Sequence, residues 1–363
     1  MSIGSLSSDG PAHGAHLRAV AADARVDERL RHAIDDLFLP EEARLSDRTR
    51  AAVHALVAGV VAAVEAEVRR YAARLLAGRG ATGQAEALLR GSPVVDRLSR
   101  AGLLRHPDLM EELIARVELD GLARSLPAAV TASDRPSLLV RLAEAPDGVV
   151  AAAAVALLGA ENRRRAAAEG SAPVRGELTA ELHQRLVWWV AAAIREQSPD
   201  MAGMVDRDRA LTEAALRSLA AHDEADRPEA AAVRLAAAID ARPAELGALL
   251  NETVADRRLT LFAALLARSA GVDYEQARHL LIDPRGDLLL LLLHAVGLDR
   301  VEIARIGVAL TEADPRRDLE ELADAIDWAV AHDRDAARTA LAPLALAGDF
   351  RAAVRSLVGS RAA

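Results

Sequence analysis

Residues 47–77 carry one uninterrupted helical pattern, and nothing else in the chain restricts its fold as much. Ser46 or Asp47 supplies an N-cap and Gly78 a stop. At about 1.5 Å per residue such a helix is roughly 45 Å long. Its apolar stripe runs through Val53, Val57, Val60, Val64, Val68, Tyr71 and Leu75, with Val53, Val64 and Leu75 recurring at the interval that keeps a helix nearly straight. A stripe of that length needs a cover. The segment 30–39 of the same chain or a second subunit would provide it, and Val53, Val57, Val60, Val64 and Tyr71 are the expected contacts of a homodimer.

The remaining chain also favours helix. Apolar residues make up 52% of it and aromatic residues only 2%, so the core is built from Ala, Leu and Val, small side chains that let helices approach closely. Residues that prefer strands are scarce. Helix starts are expected at Pro107, Pro136, Pro199, Pro228, Pro243, Pro284 and Pro315, because proline is tolerated in a first helical turn. Two corners share a build: Gly271 then Asp273 and Gln276, and Gly297 then Asp299 and Glu302. Each pairs a helix-stopping glycine with the spacing of a capping box. The segment 287–294 between them is apolar all round and is expected to be the most buried helix near the C-terminus. The expected fold is all-α, an irregular HEAT-like helical array without a regular period. Its expected regions are a flexible tail over 1–16, an N-terminal helical region over 17–90, a HEAT-like region over 91–221 and a C-terminal region over 222–363.

Composition closes several chemistries. The 45 basic residues are all Arg, and without Lys there is no phosphate-loop lysine, Schiff base or lysine general base. With no Cys there are no thiol nucleophiles, Cys-ligated zinc sites or disulfides. A net charge of −9 argues against nucleic acid or an anionic membrane as the main partner. Residues 1–16 lack the pattern of a secretory signal. The apolar runs at 149–160 and 288–293 fall short of the roughly 20 residues of a membrane span. A cytoplasmic location with no membrane contact is the resulting expectation.

Histidine and carboxylate chemistry stays open. His54 is a candidate phosphoacceptor on the polar flank of the long helix with Glu65 and Arg69, although Ala55 and Val57 stand where phosphotransfer proteins carry an acid or a lysine. His222-Asp223 and His332-Asp333 are the pair type of HD phosphohydrolases, but each falls at a helix end where capping explains it, and further ligands are missing. Glu28/His32 and Glu275/His279 are read as surface pairs. Asp35-Asp36 lacks the third acid of isoprenoid synthases, and Asn251-Glu252 does not restore their second motif. Glu161 to Arg165 is the densest basic cluster and is read as a solvated helix end. Trp188 and Trp189 fall about 100° apart on a helix near 177–196; core is the expectation for both, with Trp188 the alternative interface anchor.

Several ordered segments resemble one family. They are Pro146-Asp147-Gly148-Val149-Val150 with Leu157 to Arg164, Glu181-Leu182-His183-Gln184-Arg185-Leu186-Val187-Trp188-Trp189, and Asp283-Pro284-Arg285-Gly286-Asp287 running into Ala295-Val296-Gly297-Leu298. Together they look like the bacterial family catalogued as domain of unknown function 2336, over roughly 88–310. The resemblance implies an uncharacterised helical, HEAT-like protein and supplies no activity, cofactor or catalytic residue. The expected function is therefore a non-enzymatic protein-protein interaction or regulatory scaffold, with no cofactor and no metal. The alternatives are a phosphotransfer module using His54 and a metal-dependent HD-type phosphohydrolase.

Overall fold

In a computed structural model of the chain, the described residues are 44–127, 136–169, 177–197 and 203–348, with 350, 351, 353, 354 and 357 beyond them. The described residues from 48 onward form one compact unit. Among the described residues the regular structure is helical, with no strand. In chain order the helices are α1 (Asp47–Gly78), α2 (Thr82–Leu89), α3 (Val95–Arg100), α4 (Pro107–Ser125), α5 (Leu138–Ala143) and α6 (Gly148–Ala168). They continue with α7 (Ala180–Glu196), α8 (Met204–Ala221), α9 (Pro228–Ile239), α10 (Pro243–Ala255), α11 (Leu259–Ala270) and α12 (Tyr274–Ile282). The last four are α13 (Asp287–Ala295), α14 (Arg300–Ala313), α15 (Leu319–Ala331) and α16 (Arg334–Leu341).

Local sequence explains most of these boundaries. Pro107, Pro228 and Pro243 open α4, α9 and α10 as expected. Pro136 stands ahead of α5, while Pro284 and Pro315 lie in the bends before α13 and α15. Left-handed Gly286, not proline, sets the start of α13. Gly271 and Gly297 both take positive φ, and Val272 and Leu298 donate back to the Ala267 and Leu293 carbonyls, so both corners end their helices as anticipated. Only Asp299 completes its capping box with Glu302; Asp273 makes no side-chain cap bond, and no contact accounts for the difference. α13 is buried from Leu289 to Ala295, with Leu288 alone turned outward.

The apolar interior forms two cores that do not follow chain order. The first gathers Val60 to Leu76 of α1 with α2, α3, Leu109 and Leu113 of α4, and the inner faces of α7 and α8. The second gathers Ala115, Leu119 and Leu122 of α4 with α5, α6 and α9 to α16. The region 91–221 thus contributes to both. α6 packs most extensively on α9, passing over α7 and α8, which is not the successive pairing of a HEAT solenoid. α4 alone runs through both cores, its N-terminal half in one and its C-terminal half in the other.

A buried ion network occupies that crossing. Glu112 on α4 accepts from Arg227 at 2.6 Å and from Arg278 at 2.8 Å. Four residues on, Arg116 meets Glu177 at 2.5 Å. Glu177 also accepts from Arg164, whose two terminal nitrogens grip Glu229 at 2.6 and 2.8 Å. Burial alone would raise the Glu229 carboxyl, but the Arg164, Arg227 and Arg116 charges overcome it and hold it below the usual carboxylate range. The basic cluster is therefore a solvated helix end only in part: Asn162, Arg163 and Arg165 are exposed, with Arg165 in the last turn, while the Arg164 guanidinium turns inward to this network.

α1 also corrects the expectation that no segment could cross a membrane. It is long and apolar enough to do so by length and composition, a test that the core helix of a non-membrane protein also passes. Its apolar face from Val60 to Leu76 belongs to the first core.

Candidate functional site

The first core opens on one side into a cavity of about 310 Å³ between α1, α7 and α8. Its apolar wall is Val60, Ala63, Val64, Leu178 and Ala221. His183, from the first turns of α7, and His222, which ends α8, lie against it with their rings stacked, centroids 4.0 Å apart and planes 10° apart. The His222 Nε2 is 3.1 Å from the Leu178 carbonyl. Burial, and next the neighbouring His222, lower His183 to about 4, while its hydrogen bond to the Ser218 backbone works the other way. His183 is therefore neutral at neutral pH. Its Nε2 is buried without a partner, and so is the hydroxyl of Ser218, a cavity residue only 1% exposed.

The cavity mouth is charged. Tyr71 has the Arg74 guanidinium 4.4 Å and the Arg217 guanidinium 4.3 Å from its ring centroid. A hydrogen bond from Arg217, with that residue's charge, lowers the Tyr71 hydroxyl. Arg70 and Arg74 donate only to carbonyls of their own helix, Ala66 and Arg70. On the other side of the mouth, Asp223 caps the turn at Ala225, and Asp226 sits 3.5 Å from Arg163.

The residues singled out from sequence are scattered relative to this cavity. Val53, Val60 and Val64 are buried in the chain's own interior, and Val57 and Tyr71 are half-buried. The face expected to pair with a second subunit is thus largely taken up at home, because α7 and α8 return from far along the chain to cover it. His54 is exposed. Glu65 and Arg69 are not on its polar flank but form a buried pair at 2.7 Å. Trp188 is 37% exposed and so is not a core residue, whereas Trp189 turns inward, 5.9 Å from the His106 ring. His222 ends α8 and Asp223 caps the next turn; His332 and Asp333 do the same between α15 and α16. His279 faces Glu111 on α4 at 3.5 Å. Among the described residues no three His, Asp or Glu side chains gather as a metal site. Glu28/His32 and Asp35-Asp36 lie outside the described residues.

Sequence reasoning missed His183, Ser218 and the three arginines of the mouth. Arg70, Tyr71 and Arg74 share one turn of α1, which is a legible signal. The approach of His183 to His222 is not, since it depends on how α7 meets α8.

The pattern of a family described as an uncharacterised protein conserved in bacteria (DUF2336) matches residues 120–345, more than half of the chain. The chain belongs to this family. The DUF2336 match begins later and ends later than the 88–310 resemblance, so it contains His183, Ser218 and His222 but not α1. No curated protein and no solved structure matches the chain.

Proposed function

We propose that this DUF2336 protein is a non-enzymatic interaction module, a cytoplasmic scaffold that docks another protein on its outer surface. Trp188 carries the reading. It stands mid-way along the solvent face of α7, flanked by Gln184, Arg185, Ala192 and Arg195, which are all exposed. Arg185 and Arg195 are held by Asp108 and Asp208. An exposed indole inside a rim of restrained polar side chains is the arrangement of an interface hot spot. Trp328, 45% exposed on α15, is a second such position.

Affinity purification from the native bacterium, comparing wild type with Trp188→Ala, tests the idea. One directly binding protein should fall by at least about tenfold in the variant, as loss of a hot spot implies. Identical partner sets from two folded proteins would refute it. Sedimentation of the same pair distinguishes a second copy from a different partner. A phosphotransfer role draws support only from the exposure of His54, and requires an acid-labile phosphate that His54→Ala abolishes.

A further inference from the structure

We propose that the cavity between α1, α7 and α8 binds a mononucleotide, with the base edge at His183 and Ser218 and the phosphate at Arg70, Arg74 and Arg217. This site is separate from the protein-docking face at Trp188.

Three observations meet here. The first is a pair of unsatisfied, buried polar atoms on two residues that line the cavity, His183 and Ser218. A buried polar group without a partner costs about 1–3 kcal/mol, so two in one cavity point to a ligand that satisfies them. With the ring hydrogen bond to Ser218 assigned to Nδ1, the neutral His183 offers a bare Nε2 lone pair, and the Ser218 hydroxyl both donates and accepts. The complement is a donor beside an acceptor on one planar edge, which is what a lactam or amidine nucleobase presents.

The second is the clustering of cations. Arg74 and Arg217 lie over Tyr71 and Arg70 lines the same cavity, none with a carboxylate ion pair among the described residues, although the chain as a whole carries a charge of −9. Glu67 is the acid beside them; Glu177, which also lines the cavity, is already paired with Arg116 and Arg164. Guanidinium groups held on an aromatic ring with their outer N–H groups free suit a phosphate. Asp223 and Asp226 across the mouth are acceptors for sugar hydroxyls.

The third is size. A volume of about 310 Å³ is at the small end of ligand pockets, which fits one nucleotide and not a dinucleotide.

The test is calorimetric titration of the full chain with AMP, GMP, CMP and UMP, with the matching nucleosides and inorganic phosphate as separate arms. At least one nucleotide should bind saturably, at least about tenfold more tightly than its nucleoside and than phosphate. Arg74→Gln and Ser218→Ala should each weaken it about tenfold. Ser218→Ala removes a hydroxyl that has no partner, so its thermal midpoint without ligand should equal or exceed that of wild type. That readout separates lost binding from lost folding. No binding at about 5 mM of any of the four nucleotides overturns the proposal. Phosphate binding as tightly as the nucleotide overturns the base slot, and binding untouched by either variant places the ligand elsewhere and overturns the site.

Discussion

Arg69 donates to Glu65, to the Leu88 and Ser92 carbonyls and to Gln197, so one guanidinium ties α1 to α2, to the segment before α3 and to the end of α7. Gly91 lies against it, and a methyl group there would fall well inside van der Waals contact with the Arg69 terminal nitrogens. Because those nitrogens are committed to acceptors, Gly91→Ala should cost about 1–3 kcal/mol, read as a lower urea midpoint with unchanged slope. His183 governs a pH response. Its folded value is lowered from 6.5 to about 4, so the stability tied to its neutral form is complete above 6.5 and declines as pH falls toward 4. At about 1.4 kcal/mol per pH unit, discounted for the solvent that reaches a half-buried ring, the loss is about 2 kcal/mol. Urea midpoints at pH 7.5 and pH 5 should show a little over half of that loss in wild type, since the folded value lies below pH 5, and His183→Gln should flatten the difference.

At the scale of elements, α4 matters most. Glu112 bridges two buried guanidiniums, from Arg227 and Arg278, at the place where one apolar core gives way to the other. Glu112→Ala strands Arg278, leaves Arg227 only its longer contacts to Glu224 and Glu229, and should cost about 3–5 kcal/mol in calorimetric or denaturant unfolding. A loss below about 1 kcal/mol would mean that water reaches the crossing and solvates them. The same helices show what the sequence could and could not reveal. The Asp299 and Glu302 box, the glycine stops and the proline starts of α4, α9 and α10 were legible because each is decided within four residues. Arg164 looked like a surface cation because its partner Glu229 lies 65 positions away, and the stripe of α1 looked free because its cover is α7 and α8. His183 and Ser218 carry no distinguishing neighbours; only the packing of α7 on α8 makes them a site.

For the whole molecule, a single helix shared by two cores implies one cooperative transition, since neither core can lose α4 and survive. The indoles allow this to be checked, with Trp189 beside His106 reporting the first core and Trp328 on α15 the second. Trp328→Phe and a Trp188→Phe, Trp189→Phe double variant, followed by fluorescence in urea, should give coincident midpoints once corrected for the small cost of each substitution. Separate midpoints would mean that α4 is a hinge and not a spine. The interleaved cores also set a schedule for synthesis. Roughly a hundred residues separate the end of α1 from Leu178, where the larger part of its cover begins after α2, α3 and α4 have supplied the rest. At about 5–20 residues per second a ribosome takes some 5–20 seconds to supply that cover. Throughout that interval the nascent chain displays a helix long and apolar enough to span a bilayer, which makes α1 a natural client for whatever meets apolar segments at the exit tunnel.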